Sequence, residues 1–268
     1  MVLKQALIKF RLCNLLIINY LFLVLPAYSQ NTISMSGKWP FKIDPLNKGE
    51  EQKWWENTKV FLGSDSIAVP GNWQLYTAYT HYAGKAWYLN EFKTPQFTSA
   101  EEVIINFESV FHDCKVWLNG KYLGDNSGFF SFSYPITDIL NKSGSNTLIV
   151  MADNTFRIGA MWNWGGIRRP VTLKILNKVN VDKQHITGTP NLGSGGSNVL
   201  VKSSVYNHAL TPARLHLNLK IKLEGMEIVK ASKTVSVGVN DTLTEFFNFN
   251  LDKKQTFLWH FDRPNIYD

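Results

Sequence analysis

The sequence has almost no cysteine. Among its 268 residues only positions 13 and 114 are cysteines, and Cys13 lies in an N-terminal segment that we interpret below as a leader. A chain left with Cys114 alone forms no internal disulfide, even in an oxidising compartment. The 9 tryptophans, 17 phenylalanines and 10 tyrosines instead predict a core that depends on aromatic and aliphatic burial.

Long apolar runs are also missing, except near the N-terminus. There Lys4, Lys9 and Arg11 precede an apolar stretch over residues 12–25, and Ala27 and Ser29 follow it. A basic start, a short apolar stretch and small residues at its end are typical of a secretory signal peptide. We predict that residues 1–29 are a signal peptide and that the protein is exported, either to the periplasm or by secretion. An uncleaved anchor is the alternative.

Basic tracts are absent from the rest of the chain. Without the three basic residues of the leader, 25 basic and 21 acidic residues remain, which gives a net charge of +4. The lysines and arginines are scattered, whereas a nucleic-acid interface needs a basic patch or stripe. We therefore predict no nucleic-acid partner.

The sequence also lacks the common motifs of cofactor and metal sites. It has no G-x-S-x-G nucleophile motif, no dinucleotide-binding glycine motif and no P-loop. Its six histidines are scattered without the spacing of metal ligands. We expect no metal and no cofactor. The histidines are His81, His112, His185, His208, His216 and His260.

Helical periodicity is nearly absent, and short alternating runs separated by Gly, Pro, Asn and Ser predict an all-β chain. The clearest signal is Asn119-Gly120, which suits a two-residue hairpin turn with φ > 0 at both positions. One face of this hairpin carries Cys114, and we expect it to be buried. The other face carries Trp117 and Tyr122. About eight strands over residues 30–177 match a jelly-roll β-sandwich.

Residues 178–268 have a different pattern. The segment from Val179 to Ile186 is one strand candidate, and four more follow a Gly/Ser-rich stretch over residues 187–198. We interpret this stretch as a long loop within the second domain, in preference to a linker between domains. The strand spacing predicts an incomplete immunoglobulin-like β-sandwich. The four later candidates are Val199 to Tyr206, Ala213 to Leu223, Glu227 to Val237 and Leu243 to Leu251.

Several short motifs occur in one order along the chain. Together they resemble the N-terminal sugar-binding domain of glycoside hydrolase family 2, which includes β-galactosidases, β-glucuronidases and β-mannosidases. Leu258 to Tyr267 is similar to the W-x-x-x-x-P-x-L-Y stretch of the family's immunoglobulin-like domain, after which the family has another strand or two. The motifs are Gly37-Lys38-Trp39, Val69-Pro70-Gly71-Asn72-Trp73, Tyr82-Ala83-Gly84-Lys85-Ala86-Trp87-Tyr88, Phe107, Val116 to Gly124, Gly144-Ser145-Asn146-Thr147-Leu148 and Gly165-Gly166-Ile167-Arg168-Arg169-Pro170-Val171.

The resemblance implies that no catalytic residue lies in this chain. Family members are expected to use two glutamates on a (β/α)₈ barrel, and the resemblance covers only the part before that barrel. The expected partners are therefore a carbohydrate and a catalytic barrel domain. The only Asn-Glu pair, Asn90-Glu91, lies in a predicted strand, and we interpret Glu91 as an exposed carboxylate.

The resemblance also points to the loop over residues 153–167 as a substrate-binding element. In several family members this loop reaches towards the barrel and helps to hold a sugar. Asn163, between Trp162 and Trp164, is the candidate contact, with Asp153, Asn154 and Arg157 behind it. The alternative is that the two tryptophans pack under the sandwich and that Asn163 is a turn residue. Arg168 and Arg169 are expected to be structural.

We predict that the chain is the non-catalytic part of an exported family 2 β-glycosidase. Two other functions remain open. One is a free-standing carbohydrate-binding module. A third possibility is an exported protein-interaction module that uses its strand edges, because missing strands in the second domain would leave an open edge.

Overall fold

The computed structural model describes residues 31–155 and 163–268. More than half of these residues lie in strands and very few lie in helical turns, which confirms the all-β prediction. Their only helical elements are three 3₁₀ turns, at Thr58–Phe61, Trp73–Leu75 and Thr77–Tyr79. In these two ranges, no helix has the length and apolar character needed to cross a membrane.

Two antiparallel sheets contain most of the strands that the structure describes between residues 31 and 177. The six-stranded sheet has the order β3-β2-β4-β10-β7-β8, and the four-stranded sheet has the order β1-β12-β5-β9. The strands β6 and β11 pair with each other at one end. The bounds are β1 Asn31–Ser34, β2 Gly37–Ile43, β3 Asp65–Val69, β4 Lys85–Lys93, β5 Glu101–Phe107, β6 Val110–Phe111, β7 Asp113–Leu118, β8 Lys121–Ser127, β9 Phe132–Pro135, β10 Ser145–Asp153, β11 Gly166–Ile167 and β12 Val171–Asn177.

The main core lies between these two sheets, as in a β-sandwich. One buried cluster contains residues of both sheets, such as Val116 and Val150 from the larger sheet and Ile105 and Leu173 from the smaller one. Alternate residues of a strand point to opposite faces, so each strand gives every second side chain to this core. Cys114 is buried here, as the sequence predicted.

The hairpin of β7 and β8 has the predicted turn, since Asn119 and Gly120 have φ of 51° and 78°. The sequence placed Trp117 and Tyr122 on the second face of the hairpin but did not predict whether that face is buried. In the structure Tyr122 is 48% exposed, but Trp117 is only 4% exposed. Trp117 stacks on Trp55 with ring centroids 4.8 Å apart and an interplanar angle of 4°. The larger sheet thus has a second core on its outer face.

This outer core is covered by the irregular segment over residues 44–62, which contributes Trp54, Trp55 and Phe61. The buried carboxylate of Asp44 accepts hydrogen bonds from the indole of Trp87 at 3.2 Å and from the amide of Gly49 at 2.9 Å. These bonds tie the covering segment to the sheet. In the sequence this segment looks polar and irregular, and nothing in it predicted that it covers the aromatic face of the sheet.

Residues 178–268 form two further sheets, with strand orders β13-β14-β17 and β15-β16. A small core between them contains Val201, Ile221, Phe247 and Phe249. The strands β13 and β14 pair directly and include both ends of the Gly/Ser-rich stretch. Only residues 191–196 remain as a loop, which is the hairpin connection between two strands of one sheet. The bounds are β13 Val179–Pro190, β14 Ser197–Asn207, β15 Ala213–Leu223, β16 Met226–Val237 and β17 Asp241–Leu251.

Candidate functional site

The predicted binding loop begins where β10 ends. The carboxylate of Asp153 accepts hydrogen bonds from the backbone amide of Thr155 at 2.8 Å and from its hydroxyl at 2.5 Å. An aspartate that bonds to the backbone two residues ahead forms an Asx-turn, which bends the chain locally. Asp153 therefore directs the chain away from the sheet and into the loop.

Asn154 and Asn163 join the two ends of this loop. Asn154 is fully buried. Its side-chain oxygen accepts a hydrogen bond from the Gly84 amide at 2.8 Å, and its nitrogen donates to the Asn163 carbonyl at 2.7 Å. The side-chain nitrogen of Asn163 donates in return to the Asn154 carbonyl. The two amides thus hold both ends of the loop together and attach them to the start of β4.

A third amide, Gln74, fixes the returning end of the loop. Its side-chain nitrogen donates to the carbonyls of Asn163 at 3.1 Å and Tyr82 at 3.2 Å, and its oxygen accepts from the Gly165 amide at 3.0 Å. Gly165 lies directly over Trp73, where a Cβ would come within 2.1 Å of the indole ring. Only glycine fits there, so this backbone is held against the Trp73 turn.

Tyr82, whose carbonyl accepts the bond from Gln74, also contributes its side chain to this region. Burial raises the pKa of its phenol to about 12, so the hydroxyl stays neutral near neutral pH. It donates a hydrogen bond to the Lys85 carbonyl at 2.6 Å. The hydrogen bonds that Tyr82, Asn154 and Gln74 make at the base of the loop therefore join neutral groups.

Trp164 and Arg168 lie beyond this base. Trp164 is 44% exposed, so it does not pack under the sandwich. The guanidinium carbon of Arg168 is 5.7 Å from the centre of the Trp164 ring and 6.0 Å from that of Phe111. Its Nε donates to the Asn72 side-chain oxygen at 3.0 Å. Arg168 is therefore held by a side-chain amide oxygen and two aromatic rings.

The site combines four of the six predicted residues: Asp153, Asn154, Asn163 and Trp164. Arg157 and Trp162 lie outside the described residues. The Asn163 amide bonds within the loop, as the turn alternative expected, whereas the exposure of Trp164 fits the binding hypothesis. Gln74 was not predicted from the sequence, because two of its partners, Asn163 and Gly165, are about 90 residues away. Its position directly after the Asn72-Trp73 motif was the one available signal.

These groups are suited to binding rather than to acid–base chemistry. Amides, an exposed indole and a guanidinium offer hydrogen bonds and an apolar face, but they do not exchange protons near neutral pH. Over residues 31–155 and 163–268 no group of three or more His, Cys, Asp or Glu side chains is arranged to hold a metal ion. Glu91, of the only Asn-Glu pair, is an exposed residue of β4 opposite Thr147.

The chain is similar to several longer proteins. It is 28% identical over 194 residues to a putative beta-glucuronidase from Formosa agariphila, covering 70% of this chain and 17% of that protein. It is 29% identical over 192 residues to a beta-galactosidase from Bacteroides ovatus, covering 69% and 22%. The chain spans a quarter or less of the length of the first curated relatives that it matches.

Solved structures agree on the fold. The beta-glucuronidase 2 of Bacteroides uniformis superposes with a TM-score of 0.77 at 22% identity, covering 89% of this chain and 30% of that one. The family model of the sugar-binding domain of glycosyl hydrolases family 2 matches residues 32–177, more than half of the chain. The resemblance noted in the sequence is thereby confirmed, and the chain belongs to glycosyl hydrolase family 2.

Proposed function

We propose that this chain is the sugar-binding part of an exported β-glycosidase, and that it holds a carbohydrate at the loop over residues 153–167. The observation that carries the proposal is the fixed base of this loop, where Asn154, Asn163 and Gln74 bond to one another's backbone and to neighbouring turns. A loop that is ordered before it binds loses less conformational entropy on binding.

The exposed indole of Trp164 suits a sugar because a pyranose ring presents an apolar C–H face to an aromatic ring. The hydroxyl groups at the ring edge need hydrogen-bonding partners, and the Arg168 guanidinium beside Trp164 offers donors. In this proposal Asn163 acts chiefly by positioning the loop, with Trp164 as the contact surface. Asp153 and Asn154 support the loop from behind, and the same supporting role is proposed for Arg157 and Trp162.

Catalysis is proposed to belong to a separate barrel domain. A retaining glycosidase needs two carboxyl groups about 5–5.5 Å apart, whereas the described residues of the candidate site are amides, aromatic rings, an arginine and the Asp153 carboxylate, which is bonded to Thr155. The relatives named as β-glucuronidases and β-galactosidases are several times longer than the matched region. We further propose a signal peptide over 1–29, a sugar-binding domain over 30–177 and an immunoglobulin-like domain over 178–268.

Isothermal titration tests the binding claim. The purified chain is titrated with the methyl β-glycosides of glucuronic acid, galactose and mannose. We expect saturable binding of at least one sugar, lost in Trp164→Ala and weakened in Asn163→Ala. Asn180→Ala is the matched control, because Asn180 also donates to a backbone carbonyl but lies in β13. Flat titrations with all three sugars would contradict the proposal.

Hydrolysis is tested with the nitrophenyl conjugates of the same three sugars. We expect no release of nitrophenol by this chain. Turnover that survives Glu91→Gln would contradict the proposal that the catalytic carboxylates lie in another domain. Turnover that disappears in this variant would also contradict it and would assign catalysis to Glu91.

A further inference from the structure

A surface of aromatic and basic side chains adjoins the binding loop, and we call it the aromatic rim. It consists of Phe111, His112, Phe129, Trp164 and Arg168. The Phe111 ring is 5.1 Å from Phe129 and 5.3 Å from His112, measured between centroids. Phe129 is 59% exposed and Trp164 is 44% exposed. The rim thus continues from the loop onto the end of the first sandwich.

The guanidinium of Arg168 lies inside this rim with a fixed orientation. Trp164 and Phe111 both lie within 6.0 Å of it, and its Nε is bonded to Asn72. Two aromatic contacts and one hydrogen bond restrict rotation of the side chain, which leaves the fork of terminal nitrogens in a defined direction. Such a fork matches the two oxygens of a carboxylate or sulfate.

Arg168 has no carboxylate partner within ion-pair distance among the residues that the structure describes. Some of the other half-buried cations do have such a partner: Lys85 and Lys115 both pair with Glu50, and Lys233 pairs with Glu245. A guanidinium that contacts two rings and an amide, and no carboxylate of the protein, can bind the anionic group of a ligand.

His112 adds a second polar group to the rim. Its Nδ1 lies 2.9 Å from the Asp113 carboxylate, which orients the imidazole ring. The Phe129 ring meets the imidazole nearly edge-on, with centroids 6.2 Å apart. A polar nitrogen beside an exposed aromatic ring can contact a sugar hydroxyl while the ring contacts the sugar's C–H face.

We propose that the aromatic rim binds a sugar carrying a negative charge, with Arg168 as the anion contact and Trp164 and Phe129 as the platform for the ring. This inference deepens the proposed function and rests on it. The anion is a ring carboxylate, as in a uronic acid, or a sulfate ester, and both satisfy the same guanidinium fork. Arg168 then determines specificity for charged over neutral sugars.

The unmodified chain provides the first test. Three probes share one ring and differ in charge: methyl β-glucuronide, methyl β-glucoside 6-sulfate and methyl β-glucoside. We expect one or both charged probes to bind about tenfold or more tightly than the neutral probe, as charge-assisted hydrogen bonds imply. Comparing the two charged probes distinguishes a carboxylate from a sulfate. Equal binding of all three would overturn this inference and leave the proposed sugar-binding function intact. An absence of all binding would overturn both.

Arg168→Gln provides the second test, with Arg169→Gln as the matched control. Arg169→Gln removes the same charge one residue away. The Arg169 side chain is exposed, and the residue's hydrogen bond to Ser109 comes from its backbone amide. We expect Arg168→Gln to abolish the preference for the charged probes over the neutral probe, and Arg169→Gln to keep it. We expect Arg168→Lys to restore only part of the preference, since lysine lacks the fork. An equal loss in both Gln variants would indicate a general charge effect and would contradict the inference.

Discussion

Asn154→Ala tests the claim that the binding loop has a fixed base. The substitution removes two side-chain hydrogen bonds of a fully buried residue, one from the Gly84 amide and one to the Asn163 carbonyl. The lost bond to the Asn163 carbonyl is worth about 1 kcal/mol net, and loss of the other bond leaves the Gly84 amide unsatisfied, which costs about 1–3 kcal/mol. The Asn163 carbonyl keeps its bond from Gln74, so it adds no further penalty. We expect the free energy of unfolding to fall by about 2–4 kcal/mol.

Urea denaturation followed by tryptophan fluorescence measures this loss. Eight of the nine tryptophans precede residue 178, so the signal reports mainly on the sandwich that carries the loop. The sugar-binding affinity should fall in parallel, because the loop loses its attachment to β4. A change in unfolding free energy below about 0.5 kcal/mol, the usual range of neutral surface substitutions, would refute the reasoning.

Asn154→Asp separates the two bonds. The aspartate keeps the shape of the side chain and an acceptor for the Gly84 amide. Near neutral pH, however, it places a carboxylate oxygen against the Asn163 carbonyl. We expect the variant to be unstable at pH 7 and to recover in part on acidification, when the protonated carboxyl group can donate as Asn154 does. An Asp variant as stable as the parent at pH 7 would show that the bond to Asn163 is unimportant.

Two further predictions concern the outer core. Gly49→Ala should destabilise the protein by about 1–3 kcal/mol, because the new Cβ would lie 2.5 Å from the Trp87 ring, whereas Gly188→Ala, with nothing within 4 Å, should change stability little in the same urea titration. Burial alone raises the pKa of Glu50, but hydrogen bonds from its two lysine partners outweigh burial and hold the pKa below its ordinary value. The stability from Glu50 is therefore present above the carboxylate's unfolded-state pKa and lost as pH falls through the lower folded-state pKa. Glu50→Gln should flatten this acid-side loss in thermal melts recorded from pH 3 to pH 7, and an unchanged pH profile would contradict the assignment.

The hairpin and the inner core could be predicted from the sequence because they depend on local signals. Asn119-Gly120 specifies its turn through φ > 0, and the alternation over Cys114 and Val116 marks the buried face. Ala213–Leu223 matched its predicted strand bounds for the same reason. Period-two patterns report on one face of one strand without any knowledge of its neighbours.

The outer core and the loop base depend on contacts between distant residues, and a single sequence does not show these. Trp117 stacks on Trp55 across 62 positions, and Gln74 bonds to Gly165 across 91. A tryptophan on the second face of a strand gives the same pattern whether solvent or a covering segment lies above it. Likewise, nothing local indicates that Arg168 lies between two rings.

The most direct test of the central claim is the indole spectrum of the nitrogen-15-labelled chain during titration with methyl β-glucuronide. We expect the Nε1–H resonance of Trp164, assigned with Trp164→Phe, to shift saturably with the sugar. The resonances of the buried Trp39 and Trp87 should stay in place, because these rings lie in the cores and not under the loop. A Trp164 resonance that does not move while the sugar binds would place the binding site elsewhere and contradict the claim.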